Sequence, residues 1–196
     1  MTIKLTDVSL KYDEKIVLNR FNLTLPKQGL VCFFGPSGCG KTSLLRILAG
    51  LTASDSGEVS GIAGLKPAVV FQENRLLPWL TALENVTLVL PEAKIAQAQY
   101  WLEQVELGAE AAKLPAELSG GMQRRIALAR ALAYGGDMLL LDEPFTGLDS
   151  ALAKRLLHLI AENYRGKLVV MITHDKDLSQ LADYIYPVKG LPLTVE

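Results

Sequence analysis

Polar and apolar positions change rhythm several times along the chain, and each change predicts an element. From Ile3 to Leu10 the two kinds alternate, and a second alternating run, Phe21 to Leu25, ends at Pro26. Period-two alternation marks strands buried on one face, so these two predict an antiparallel pair. Unbroken apolar runs follow at Leu30 to Phe34, Ala68 to Phe71, Met138 to Leu141 and Leu168 to Ile172. They read as buried strands, and the run before Asp142 has the composition of a parallel strand covered on both faces. A helix after the first run stops at Gly50, a C-terminal cap. Between Ala68 to Phe71 and Met138 the period changes. Leu76 to Val86 is apolar and helix-prone, Pro91 opens a second helical stretch that ends near Gly108, and Ile95, Ala98, Leu102 and Val105 recur within it on one helical face. Leu118 to Gly135-Gly136 reads as the best amphipathic helix, with Ser119 at its N-cap. A helix from about Ser150 to Tyr164 and short closing strands at Tyr184 to Val188 and Leu193 to Val195 complete the pattern. Together they predict an α/β fold: a mostly parallel core sheet, an antiparallel β subdomain, and a helical insert from about Asn74 to Leu118. With the helix that follows, the helical subdomain reaches about residue 135.

Composition narrows the picture without changing it. A chain of 196 residues is one full-sized domain, and 49% hydrophobic with 21% charged residues is globular rather than disordered. No apolar run approaches the roughly 18 residues that cross a bilayer, and the N-terminus lacks the apolar core of a signal peptide. The expectation is a cytosolic protein that can still sit on a membrane-embedded partner. A net charge of −1 argues against general affinity for nucleic acid. The compact basic cluster is Arg124-Arg125, with Arg130 further along. Cys32 and Cys39 have no metal-ligand spacing. Cys39 stands beside a helix N-terminus, which can lower a thiol pKa and make it reactive, but the commoner explanation is a small residue in a tight loop.

The chemistry concentrates in a few stretches. Gly35-Pro36-Ser37-Gly38-Cys39-Gly40-Lys41-Thr42-Ser43 fits Gly, four residues, Gly-Lys-Thr, between an apolar strand and a helix. In that setting successive backbone N–H groups face a di- or triphosphate and the helix adds its positive end. Lys41 supplies a cation for the β and γ phosphates, and the Thr42 hydroxyl is placed for Mg²⁺. Tyr12 has the flat apolar face that stacks on adenine, or is a surface turn residue. Gln72 ends a strand, where an amide ligates Mg²⁺, orients water or is merely solvated. Ser119-Gly120-Gly121 at a helix start makes a second anion site, or an ordinary cap. Asp142 and Glu143 fall at a strand's C-terminal end, where open α/β sheets hold their ligands; Asp142 suits Mg²⁺ and Glu143 a general base. His174, at the end of the last buried strand, can hydrogen-bond a γ phosphate, whereas His158 lies mid-helix. Trp79 and its leucines are either a docking surface or packing within the insert.

In this order the motifs resemble the nucleotide-binding subunit of an ATP-binding cassette transporter, across nearly the whole chain. Tyr12 matches the adenine-stacking aromatic, Gly35 to Ser43 the Walker A loop, and Gln72 the Q-loop. Leu118-Ser119-Gly120-Gly121-Met122-Gln123 matches the family signature, Asp142 and Glu143 Walker B, Asp149 the D-loop, and His174 the switch histidine. The resemblance implies a single P-loop ATPase domain over 1–196, ATP and Mg²⁺ as ligands, and catalytic roles for Glu143, His174 and Gln72. It also implies head-to-tail pairing with a second copy or a paralogue, so that Ser119, Gly120, Gly121 and Gln123 of one subunit close on ATP held by the other. Transmembrane permease subunits, with or without a solute-binding protein, are the implied partners on the cytoplasmic face of the inner membrane; nucleic acid is not. Phe71 to Thr81 is similar to the ATPases of importers for nitrate, sulfonates, taurine and thiamine precursors. Gly57 to Phe71 is short for the family, and the chain ends soon after its last strand, so no C-terminal regulatory domain is expected. The competing readings are a cassette ATPase gating a membrane signalling complex and, from another class, one acting on nucleic acid.

Overall fold

The computed structural model describes residues 2–91 and 94–195. Two sheets organise it. β1 (Lys4–Tyr12), β2 (Lys15–Thr24) and β4 (Ser56–Ser60) form an antiparallel sheet in the order β2-β1-β4. The second sheet holds β3 (Gly29–Phe34), β5 (Pro67–Val70), β6 (Met138–Asp142), β7 (Leu168–Thr173), β8 (Tyr184–Lys189) and β9 (Thr194–Val195), in the order β5-β6-β7-β3-β8-β9. All its pairs are parallel except β8 with β9.

Side-chain alternation along the central strands divides the core in two. Leu30 and Cys32 of β3, Leu139 and Leu141 of β6, and Val169 and Met171 of β7 point to one side. There they meet α2 (Ala82–Thr87), α3 (Ile95–Gln104), α4 (Gly120–Tyr134) and α5 (Ser150–Asn163). Val31 and Phe33, Met138 and Leu140, and Val170 and Ile172 point to the other side, toward α1 (Lys41–Leu48) and the antiparallel sheet. A strand covered on both faces has no polar positions to alternate, which is why these runs are continuous. β5 departs from that expectation. It is an edge strand, and Pro67 and Val69 are only half-buried between buried Ala68 and Val70.

The helical segment also corrects the pattern in three places. Regular helix after Leu76 begins only at Ala82, where Thr81 and Glu84 form a reciprocal cap: Glu84 N donates to Thr81 Oγ1, and Thr81 N donates to Glu84 Oε2 at 2.8 Å. In α3, Ala98 and Leu102 are buried as expected, as is Val105 just past the helix, but Ile95 is 61% exposed and Trp101 takes its place in the core. Residues 92–93, in the stretch expected to open at Pro91, lie outside the described residues. Finally, α4 is not a one-faced helix. Ile126, Ala127, Leu128, Ala129, Ala131, Leu132 and Ala133 are all buried, because α4 lies in the core with both α2 and α3 and also touches β5.

Trp79 resolves its two alternatives: at 70% exposed it does not pack within the helical segment. Among the described residues no helix is long and apolar enough to cross a membrane. A short helix, α6 (Lys176–Ser179), follows β7, with Asp175 as its cap.

Candidate active site

β3, β6 and β7 lie side by side and run the same way, so their C-terminal ends bring Gly35 to Thr42, Asp142-Glu143 and His174 to one edge. A cavity of about 250 Å³ opens there, lined by Ser37, Gly38, Gly40, Lys41, Thr42, Ser43, Gln72, Asp142 and Glu143. Tyr12, Lys15, Val17 and Leu191 line it as well. A larger cavity of about 440 Å³ opens at the start of β3, β7 and β8 and carries none of the motif residues. Open α/β sheets bind at the carboxyl ends of their strands, so the smaller cavity is the candidate site.

The phosphate loop owes its path to two close approaches. The backbone carbonyl of Val188 stands where a Cβ on Gly35 would be. Gly40 takes φ +104°, and a Cβ there would come within 2.8 Å of Val17 Cγ1. Around Gly38 a Cβ would meet no atom within 4 Å, so the loop is open toward the cavity. Lys41 is buried, and its ammonium donates to the carbonyls of Gly35 at 2.7 Å and Pro36 at 2.6 Å. Cys39 is also buried, with Sγ 3.8 Å from Lys41 Nζ. Burial favours the small residue closing a tight loop over the reactive thiol, which requires exposure. Cys32 is inert for the same reason, and burial pushes its thiol up to about 12.

The acidic side of the cavity is more closely coupled. Thr42 Oγ1 donates to Asp142 Oδ2 at 2.7 Å, fastening α1 to the end of β6. Asp142 is 2% exposed. Burial raises its pKa, a tendency that neighbouring Glu143 reinforces and that the Thr42 hydroxyl, Lys41 and Arg124 oppose. A threonine hydroxyl and a carboxylate are the hard oxygen donors that Mg²⁺ takes, and Gln72 adds an amide oxygen on the same cavity. Among the described residues no cluster of three or more His, Cys, Asp or Glu could hold a metal alone.

Glu143 follows with φ 49°, an uncommon conformation for a non-glycine residue. Its N–H donates to the Ile172 carbonyl, and its Oε1 lies 2.9 Å from His174 Nδ1. The pair thus bridges the ends of β6 and β7.

The signature turn lies elsewhere. Ser119 Oγ accepts from Met122 N at 3.2 Å, as an N-cap should, and Ser119 and Gly120 are exposed. None of Ser119, Gly120 and Gly121 lines the cavity of their own chain. Gly121 packs beside the turn after Walker B: a Cβ there would stand 3.1 Å from Leu148 Cδ2. Gln123 departs from its expected role as a nucleotide ligand. Its amide donates to the carbonyls of Pro115 at 2.9 Å and Leu118 at 3.2 Å, so it holds the turn from behind. Asp149 caps α5 through Leu152 N, and His158 is an exposed residue of that helix, its Nδ1 at the Lys154 carbonyl.

Sequence reasoning missed the arginines of α4. Arg124 is buried and donates to the carbonyls of Phe71 and Gln72, while Arg130 donates to those of Asn74 and Arg75. Arg125 reaches the carbonyls of Val105 and Glu106. The basic cluster therefore faces inward. The available signal was an arginine set among the apolar residues of a helix, which points to buried backbone acceptors as readily as to an outside anion.

A strand-loop-helix phosphate cradle, a buried carboxylate on its threonine and a carboxylate–histidine pair at the adjacent strand ends define a P-loop nucleotide-binding protein. The comparisons narrow the class. Residues 18–146 match the ABC transporter family. The chain is 39% identical over 194 residues to the aliphatic sulfonates import ATP-binding protein SsuB 2 of Xanthomonas axonopodis pv. citri, covering 94% of this chain and 67% of that protein. It is 40% identical over 208 residues to the SsuB protein of Pectobacterium atrosepticum, covering 99% and 78%. Among solved structures, the dimeric post-hydrolysis state of the ATP-binding cassette MJ0796 bound to ADP and Pi superposes with a TM-score of 0.87 at 33% identity, covering 95% of this chain and 94% of that one. The chain belongs to the ABC transporter family, as an ATP-hydrolysing subunit.

Proposed function

We propose that this subunit powers a membrane importer by hydrolysing ATP at two sites shared between paired cassettes. The observation that carries the proposal is a division within one chain. Lys41, Thr42, Asp142, Glu143 and Gln72 line one cavity, while Ser119, Gly120 and Gly121 line none of it. A phosphate held by the first group leaves the second free to approach a nucleotide on another copy. The dimeric cassette neighbour supports that arrangement.

Within each site, the loop amides and Lys41 bind the phosphates. Thr42 and Asp142 would hold Mg²⁺ with Gln72, and the ion would supply neutralisation of the phosphate charge. Glu143 accepts a proton from the attacking water, and His174, held by Glu143, donates to the γ phosphate. The import assignment rests on relatives whose names describe import of aliphatic sulfonates. We place the subunit on the cytoplasmic face of the inner membrane, with permease subunits on the segment that bears Trp79. The solute is chosen by the permease and a solute-binding protein.

The proposal is tested by light scattering on a single and a double variant. Glu143→Gln should lose about 10² to 10⁴ in turnover and, with Mg-ATP, run as a dimer, because pairing is favoured only by binding that differs between the two states. Without nucleotide it should be monomeric. Adding Ser119→Arg should abolish the dimer and leave ATP binding largely intact. A dimer that persists with Arg at 119, or that forms equally without nucleotide, refutes the shared site.

A further inference from the structure

Besides the phosphate loop, the cavity wall draws on the last strands of the chain. β8 runs parallel beside β3 and so ends at the same edge, where the Val188 carbonyl presses on Gly35. Gly190, at φ 71°, turns the chain, and β9 returns antiparallel to β8. The hairpin is then pinned to the antiparallel sheet. Leu193 N donates to the Val17 carbonyl at 2.9 Å, and Leu193 is 2% exposed, its Cβ 3.6 Å from where a Cβ on Gly40 would lie. Between these fixed points the hairpin tip carries Leu191, 40% exposed, on the cavity wall. Hairpin tips favour Gly, Asn and Asp, so a leucine held at one needs an apolar contact to explain it.

Tyr12, Lys15 and Val17 of the antiparallel sheet line the same cavity, and Tyr12, 43% exposed, likewise offers an apolar face. Tyr12, Val17 and Leu191 supply apolar surface suited to a flat aromatic ring whose triphosphate lies on the phosphate loop. We propose that Leu191 is a base-contacting residue, adding a wall from the β8–β9 hairpin to the slot that Tyr12 and Val17 begin. This inference rests on the reading of the cavity as an ATP site.

Calorimetry with ATP and with inorganic tripolyphosphate on the full chain separates the alternatives. Leu191→Ala should weaken ATP binding about three- to tenfold, the effect of withdrawing a few CH₂ groups from contact. It should leave tripolyphosphate affinity unchanged, and Leu191→Met should restore ATP binding. Unchanged ATP affinity in Leu191→Ala overturns the contact. Equal losses for ATP and tripolyphosphate also overturn it, since they would mean that the hairpin only braces the phosphate loop. If the unsubstituted chain binds tripolyphosphate but gains nothing from the nucleoside of ATP, both Leu191 and the ATP reading fall, and no variant is needed to see it.

Discussion

Asp142 illustrates what the site costs at the scale of one residue. Its carboxyl is buried, accepts from Thr42, and has a raised pKa because burial disfavours its charge. Burial thus disfavours the charged carboxylate in the folded protein relative to the unfolded chain. Asp142→Asn keeps an acceptor for Thr42 and removes the charge. It should abolish Mg²⁺-dependent hydrolysis while stabilising the nucleotide-free protein by about 1 kcal/mol, the usual size of such a gain at a site strained for activity. The sign with pH follows from the direction of the shift: the raised pKa means that the folded state binds the proton more tightly. The wild-type protein should recover the difference as pH falls through its folded pKa, completely so below the ordinary value of 3.8. Urea titrations of both proteins across that range check it, and a gap that widens on acidification would contradict the assignment. Asp142 and Glu143 were legible because they end an apolar run. Leu191 was not, since only tertiary structure brings a hairpin tip to the phosphate loop.

Among the elements, α4 carries more than its cap. Arg124 and Arg130 hold the backbone of residues 71–75, so the helix that begins at the signature also fixes the segment that presents Gln72. Arg124→Ala removes the charged donor to the part-buried Phe71 and Gln72 carbonyls and should cost about 1.5–3 kcal/mol, the usual contribution of hydrogen bonds to a charged group. Arg124→Lys should recover little of this, because an ammonium cannot reproduce the two-pronged donation of a guanidinium. Chemical denaturation measures both, and an Ala variant as stable as wild type would remove Arg124 from this role. The element order could be read from the chain, as could most element types. What could not be read was burial that depends on neighbours. α4 looked amphipathic because its arginines and Gln123 mimic a polar face, although they turn inward to carbonyls. β5 looked fully buried because an apolar run does not reveal which strand lies at the edge.

At the scale of the molecule, the arginines of α4 turn inward to backbone carbonyls while Trp79 stands exposed. The strand order has a further consequence. β3, which carries the phosphate loop, pairs only with β7 and β8, whose residues follow it by more than a hundred positions. During synthesis the loop therefore leaves the ribosome long before either flanking strand exists. A fragment ending at Tyr164 would contain the loop, the signature and both acidic residues yet leave β3 without its neighbours. It should fail to retain labelled ATP on a filter, whereas the full chain should retain it. Retention by the fragment would show that the loop holds its shape unaided. Loss of retention would mean that a nascent cassette stays blind to cellular nucleotide until β7 and β8 have been made.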